Sequence, residues 1–156
     1  MKFVMIVMAA LLAQTAFAGR KIQLSACSEI GADLTTILTG AESQRSLYKG
    51  AVGIFQFDTE EPAAAPAGLA IVYNSPEASE QGFIIRKCVG LHYLAGSDLK
   101  NAKSSYDAKS GVTLIINISK PNIEDGGTIP GKIKLNIKTV NTGKDNEGQV
   151  ISAEEL

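Results

Sequence analysis

Across residues 132–140 the chain alternates strictly. Ile133, Leu135 and Ile137 fall on one side, and Lys132, Lys134, Asn136 and Lys138 on the other. A period of two marks a β-strand with one face in a core and one in water. Residues 112–119 repeat the pattern, with Val112, Leu114, Ile116 and Ile118 sharing a side. Their other side carries Thr113, Ile115 and Asn117, which predicts a strand nearer the centre of a sheet. Residues 82–94 predict a longer strand through Phe83, Ile85, Val89, Leu91 and Tyr93, with Gly90 marking a bulge or bend. Segments 21–26, 51–57, 69–73 and 149–153 complete the set, and β-branched or aromatic residues are frequent in most of them.

The connections are rich in residues that break regular structure. Residues 60–68 (EEPAAAPAG) read as a Pro-bounded loop, and Asn74-Ser75-Pro76 as the start of a turn. Residues 121–131 hold Gly126-Gly127 and Pro130-Gly131 and read as a loop, and 141–148 as a polar turn. Two stretches stay ambiguous. Residues 29–40 (EIGADLTTILTG) fit either a short helix or a Thr-rich strand, and 96–103 (GSDLKNAK) fit one helical turn capped by Ser97. The sum is a mainly β fold: a small antiparallel β-sandwich or barrel of about seven short strands, with at most one short helix. A transmembrane barrel is not expected. It needs strands of about ten residues with apolar outer faces, whereas the 132–138 face is cationic.

The start of the chain has a different pattern. Lys2 precedes an uncharged apolar run, Phe3 to Leu12, and Ala16-Phe17-Ala18 supplies small residues flanking a cleavage site. This is the pattern of a secretory signal peptide over residues 1–18, cut between Ala18 and Gly19. The run is shorter than the roughly 20 residues a membrane anchor requires. Residues 19–156 are then expected to form one exported β-rich domain, periplasmic or secreted, with no transmembrane segment.

Export changes the meaning of the two cysteines. In an oxidising compartment Cys27 and Cys88 are expected to join, closing a loop of about 60 residues worth up to roughly 4 kcal/mol. Leu24-Ser25-Ala26-Cys27 also resembles a bacterial lipobox, and that resemblance implies an acylated Cys27 anchoring a membrane lipoprotein. Arg20 and Lys21 stand against it, because they separate the box from the apolar run and would have to enter the membrane.

Composition narrows the chemistry. Fifteen basic side chains against sixteen acidic ones give a net charge of −1, without the basic surplus of a nucleic-acid binder. Trp is absent, and His92 is the single histidine. A multi-histidine zinc site is therefore excluded within one chain. A Ser-His-Asp arrangement would depend on His92, and no Gly-x-Ser-x-Gly elbow accompanies it. On an extended strand Cys88 and His92 stand about 13 Å apart, too far to act as a nucleophile and base. The acidic pairs Glu60-Glu61, Glu124-Asp125, Asp145 with Glu147, and Glu154-Glu155 read as solvated turns or termini, and the 145–148 segment lacks EF-hand spacing. Neither a cofactor nor a metal is expected.

The most patterned polar feature is the lysine face of Lys132, Lys134 and Lys138. It reads either as a contact for an anionic lipid, polysaccharide or acidic partner, or as an edge or outer strand using lysine to prevent strand addition. Asn117-Ile118-Ser119 fits a glycosylation acceptor, but on a strand expected to be half buried. These observations lead to the expectation of an exported binding module, adhesin-like or inhibitor-like, with an unidentified protein or envelope polymer as partner. The loops 60–68 and 120–131 are candidate display elements. A lipid-anchored envelope protein and an exported hydrolase are the alternatives.

Overall fold

The strictest alternation, over 132–140, falls within the longest strand among the described residues. The computed structural model describes residues 19–33, 35–59, 65–78, 84–141 and 147–156. The leader 1–18, Glu60-Glu61 and Asp145 lie outside these residues. Among the described residues ten strands follow in order: β1 (Arg20–Ile22), β2 (Ser25–Ala26), β3 (Gln44–Leu47), β4 (Val52–Asp58), β5 (Ala67–Ala78), β6 (Ile84–Leu94), β7 (Gly96–Asp107), β8 (Gly111–Pro121), β9 (Thr128–Asn141) and β10 (Glu147–Glu155). They form two antiparallel five-stranded sheets. The front sheet has the order β1-β10-β9-β8-β7, and the back sheet β2-β6-β5-β4-β3.

The sheets pack as a β-sandwich by their apolar sides. Val52, Ile54, Leu69 and Ile71 of the back sheet meet Leu114, Ile116, Ile133, Leu135 and Ile137 of the front sheet, all at most 1 % exposed. Burying each of these side chains contributes about 1.5–3 kcal/mol. The register of β8 on β9 sets Leu114 opposite Leu135 and Ile116 opposite Ile133, so the widest apolar side chains share one layer.

Several local expectations are corrected. Residues 96–103 are not a helical turn but the start of β7. Its pairing with β8 shifts between Asp98 and Lys103, and the irregularity lets Leu99 and Ala102 both face the core. That spacing of three apolar positions imitates a helix in sequence. The bulge of β6 lies at His92-Tyr93 rather than at Gly90, since Leu91 and Leu94 pair with Leu69 and Ala67. Gly90 serves close approach instead: a Cβ there would lie 2.2 Å from the Leu69 carbonyl oxygen and 2.9 Å from Ile30. Asn74-Ser75-Pro76 lies inside β5, and Pro130-Gly131 inside β9, leaving a shorter β8–β9 connection than 121–131. Among the described residues of 30–40 there is neither an α-helix nor a strand. A 3₁₀ turn at Cys27–Glu29 opens the segment, and Ile37 makes a lone bridge to Phe57. Segment 21–26 is split, because the chain leaves the front sheet after Ile22 and joins the back sheet at Ser25.

Polar side chains tie the sheets together at their margins. The Arg45 guanidinium on β3 donates to the carbonyls of Leu99 (3.3 Å) and Ala102 (2.7 Å), covering the irregular stretch of β7. Gln56 on β4 donates to the Ser97 hydroxyl at 2.8 Å. At the other margin a Gly148 Cβ would lie 2.3 Å from the Pro76 Cα, so β10 and β5 touch through backbone. Tyr48 reaches across from the back sheet. Its hydroxyl donates to the Ile137 carbonyl (2.7 Å) and accepts from the Val112 N–H (3.1 Å), from a backbone held at φ 51°. Tyr48→Phe is expected to lower unfolding free energy by about 1–3 kcal/mol, because the hydroxyl satisfies two backbone groups at once. Urea titration checks this, and an unchanged midpoint would show that the bridge is dispensable.

Candidate functional site

The two sheets differ in what lies on their outer faces. Outside the back sheet, residues 27–33 and Ile37 cover β4, β5 and β6, burying Phe57 and Ala70 beneath Ile30 and Cys27. Cys27 is joined to Cys88 of β6, with Cα atoms 5.4 Å apart. Among the described residues, no comparable cluster of buried residues covers the outer face of the front sheet.

The lysines occupy the middle of that face. β9 is the third of five strands and pairs with β10 on one side and β8 on the other. The edges are β1 and β7, so the edge-guarding explanation for the lysines does not hold. Lys132 and Lys138 are exposed, and Lys134 is half-buried and ion-paired to Glu154 of β10. Cross-strand pairing sets Lys21 of β1 opposite Glu154, Glu154 opposite Lys134, Lys134 opposite Ile115, and Ile115 opposite Lys103 of β7. One row across the sheet therefore alternates cation, anion, cation, apolar side chain and cation. Neighbouring strands lie about 4.8 Å apart, and residues two apart along β9 are separated by about 7 Å.

The acids of this side of the molecule already have partners. Asp98 accepts hydrogen bonds from Asn101, and Asp107 caps the β7–β8 turn. The Asp107 carboxyl is held below the usual carboxylate range, first by the Ser110 N–H, then by the Ser110 hydroxyl and the Lys109 N–H. Glu154 and Glu155, expected in a solvated terminus, stand on β10 and bind Lys134 and Lys120. Lys132, Lys138, Lys21 and Lys103 remain as the cations of the face, with Asn117, Asn136, Thr113 and Ser152 between them. β8 is buried on one side as expected, and Asn117 is exposed because it falls on the outward side of that strand.

Other candidate positions are separate. His92 is exposed beside Tyr93, whose backbone has φ 71°, on the bulge of β6 in the other sheet. Among the described residues, no three or more His, Cys, Asp or Glu side chains gather into a metal-holding group. A shallow groove of about 1180 Å³ lies at the end of the front sheet, bordered by Ile118, Lys120, Pro130, Lys132 and Leu156. Lys21 and Lys103 escaped the sequence reading, because only pairing through β10 and β8 brings them alongside β9. The alternation within 132–138 was the signal for the rest.

Comparison with protein-family models, curated proteins and solved structures finds no match to this chain. The class rests on the fold and its surface: a disulfide-bonded antiparallel β-sandwich with one covered and one cationic outer face.

Two outcomes check this description. Lys134 is expected to react with an amine-acylating reagent more slowly than Lys132 and Lys138, and Glu154→Gln to bring it to their rate, read by peptide mass spectrometry. The depressed Asp107 carboxyl contributes to stability above the unfolded value near 4. That contribution is lost as pH falls through the folded value. Amide protection at Lys109 and Ser110 should thus persist from neutral pH into mild acid and fall only below the ordinary carboxylate range. Asp107→Asn should weaken it at neutral pH.

Proposed function

We propose that this chain is an exported binding module, without chemistry of its own, that holds an anionic envelope or extracellular polymer on the outer face of its front sheet. The observation that carries this reading is the central position of Lys132, Lys134 and Lys138 on a face left uncovered. Lysines at a sheet centre give no protection against strand addition, so their accumulation calls for another cause. A polyanion laid along β9 meets the unpaired cations Lys132 and Lys138 about 20 Å apart, with Lys134 paired to Glu154 between them and hydrogen-bonding Asn and Thr side chains alongside.

The chemistry of the face favours a polymer over a folded protein or a bilayer. Stable protein interfaces centre on buried aromatic or Arg anchors. Here the apolar side chains at the pairing positions beside β9 are Ile115 and Val150. Lysine acts as a hydrated point charge suited to sulfate, phosphate or carboxylate groups in varied orientations. Export rests on the leader pattern and fits a joined Cys27–Cys88 pair. The same bridge leaves Cys27 no thiol for acylation, which favours the free form over the lipid-anchored alternative.

The test uses the processed chain on immobilised dextran sulfate. Wild type should be retained at low salt and released as salt rises. Lys132→Glu with Lys138→Glu should weaken retention by at least about tenfold, roughly 1.4 kcal/mol. Lys49→Glu, a control on the β3–β4 connection, should leave it unchanged. Equal loss in the control, or none in the double variant, would overturn the reading. Intact mass is expected to show a start at Gly19 and two hydrogens fewer than the dithiol; acylated Cys27 would restore the anchored alternative.

A further inference from the structure

We infer that the Cys27–Cys88 disulfide is a reducible latch, and that its opening releases residues 27–33 from the back sheet while the sandwich stays folded. The segment runs as a strap across the sheet. It begins at β2, which pairs with β6 through Ser25–Gly90 and Ala26–Val89. Beyond it the chain reaches the far side of β4, where Leu38 donates to the Gln56 carbonyl and Asp58 donates to the Thr36 carbonyl, both at 2.9 Å. Between these anchors the strap crosses the outer faces of β6, β5 and β4.

Within the strap the non-covalent hold is slight. The backbone hydrogen bonds of Ile30 and Ala32 go to the Cys27 carbonyl, inside the strap itself. Asp33 accepts from Thr35 and Thr36, also locally. What presses on the sheet is Ile30, seated over Gly90 and Ala70 beside Phe57. These residues form a cluster of their own, separate from the core between the sheets, and no strap residue is part of that core. The bridge is thus the one covalent tie of the strap, at its first residue and within the small cluster that Ile30 completes, and neither of its cysteines belongs to the core between the sheets.

The chemistry balances with an external dithiol as reductant. Its thiolate attacks one sulfur of the bridge, forming a mixed disulfide and expelling the other cysteine as a thiolate. The second thiol of the reagent, as thiolate, then closes the reagent's own disulfide and frees the remaining cysteine. Two electrons pass from reagent to protein, and both cysteines take up protons. Ile30 can then leave its seat, and Phe57 and Ala70 become an apolar patch on the back sheet. The patch lies on the opposite side of the sandwich from the lysine face.

Hydrogen exchange read by mass spectrometry, with and without dithiothreitol, tests the latch. Peptides covering 27–33 should exchange at least about tenfold faster on reduction, with those of β8 and β9 unchanged and reoxidation restoring the first rate. Cys27→Ser with Cys88→Ser should reproduce the reduced pattern without reagent. Unchanged exchange in the strap would overturn the proposal. So would acceleration of β8 and β9 together with the strap, which would make the bridge a support of the whole fold.

Discussion

The rest of the structure depends on the register of β8 against β9. Their inward side chains, Leu114 and Ile116 against Ile133 and Leu135, are completely enclosed beneath the back sheet. Because side chains alternate with a period of two, a one-residue slip of β9 would carry Lys132, Lys134 and Lys138 into that core. The cost of burying unpaired ammonium groups excludes the slip. The same constraint that seats the isoleucines therefore holds the lysines in water, in line, on the strand with neighbours on both sides. The cationic face follows from the core.

What surrounds that core is asymmetric. The back sheet has its outer face closed by a strap, a disulfide and a second small apolar cluster. The front sheet spends its outer side chains on lysines, amides and hydroxyls. Margins are sealed by polar devices: Arg45 over the irregular part of β7, and Tyr48 between β8 and β9. Each bonds to backbone groups of the front sheet, where a buried orphan would be costly. Irregular strands thus persist without opening the sandwich.

Legibility followed the physics of periodicity. Residues 112–119 and 132–140 were readable because one side is fully buried and the other wet. The β7 strand was not, because its pairing irregularity puts Leu99 and Ala102 three apart and reproduces the spacing of a helical turn. β3 was missed because it is four residues long and its partly buried positions are Arg45 and Leu47, so a single apolar side chain marks it. Pro130 and Asn74-Ser75-Pro76 look like loop residues, yet each sits in a strand at a place tertiary contacts tolerate. The Cys27–Cys88 pairing was legible by elimination, since no other cysteine exists.

By itself, the chain's alternation determined a mainly β fold, sandwich or barrel, which residues turn inward, and that Lys132, Lys134 and Lys138 share a face. Local pattern suffices for these, because a strand's two sides are decided by its own residues. Tertiary structure alone decided that β9 lies at the sheet's centre, that Lys21 and Lys103 join its face, and that Glu154 neutralises Lys134. It also decided that residues 27–33 cover one sheet and leave the other open. Strand order and coverage come from pairings between residues far apart in the chain, and no local pattern encodes which neighbour a strand will take.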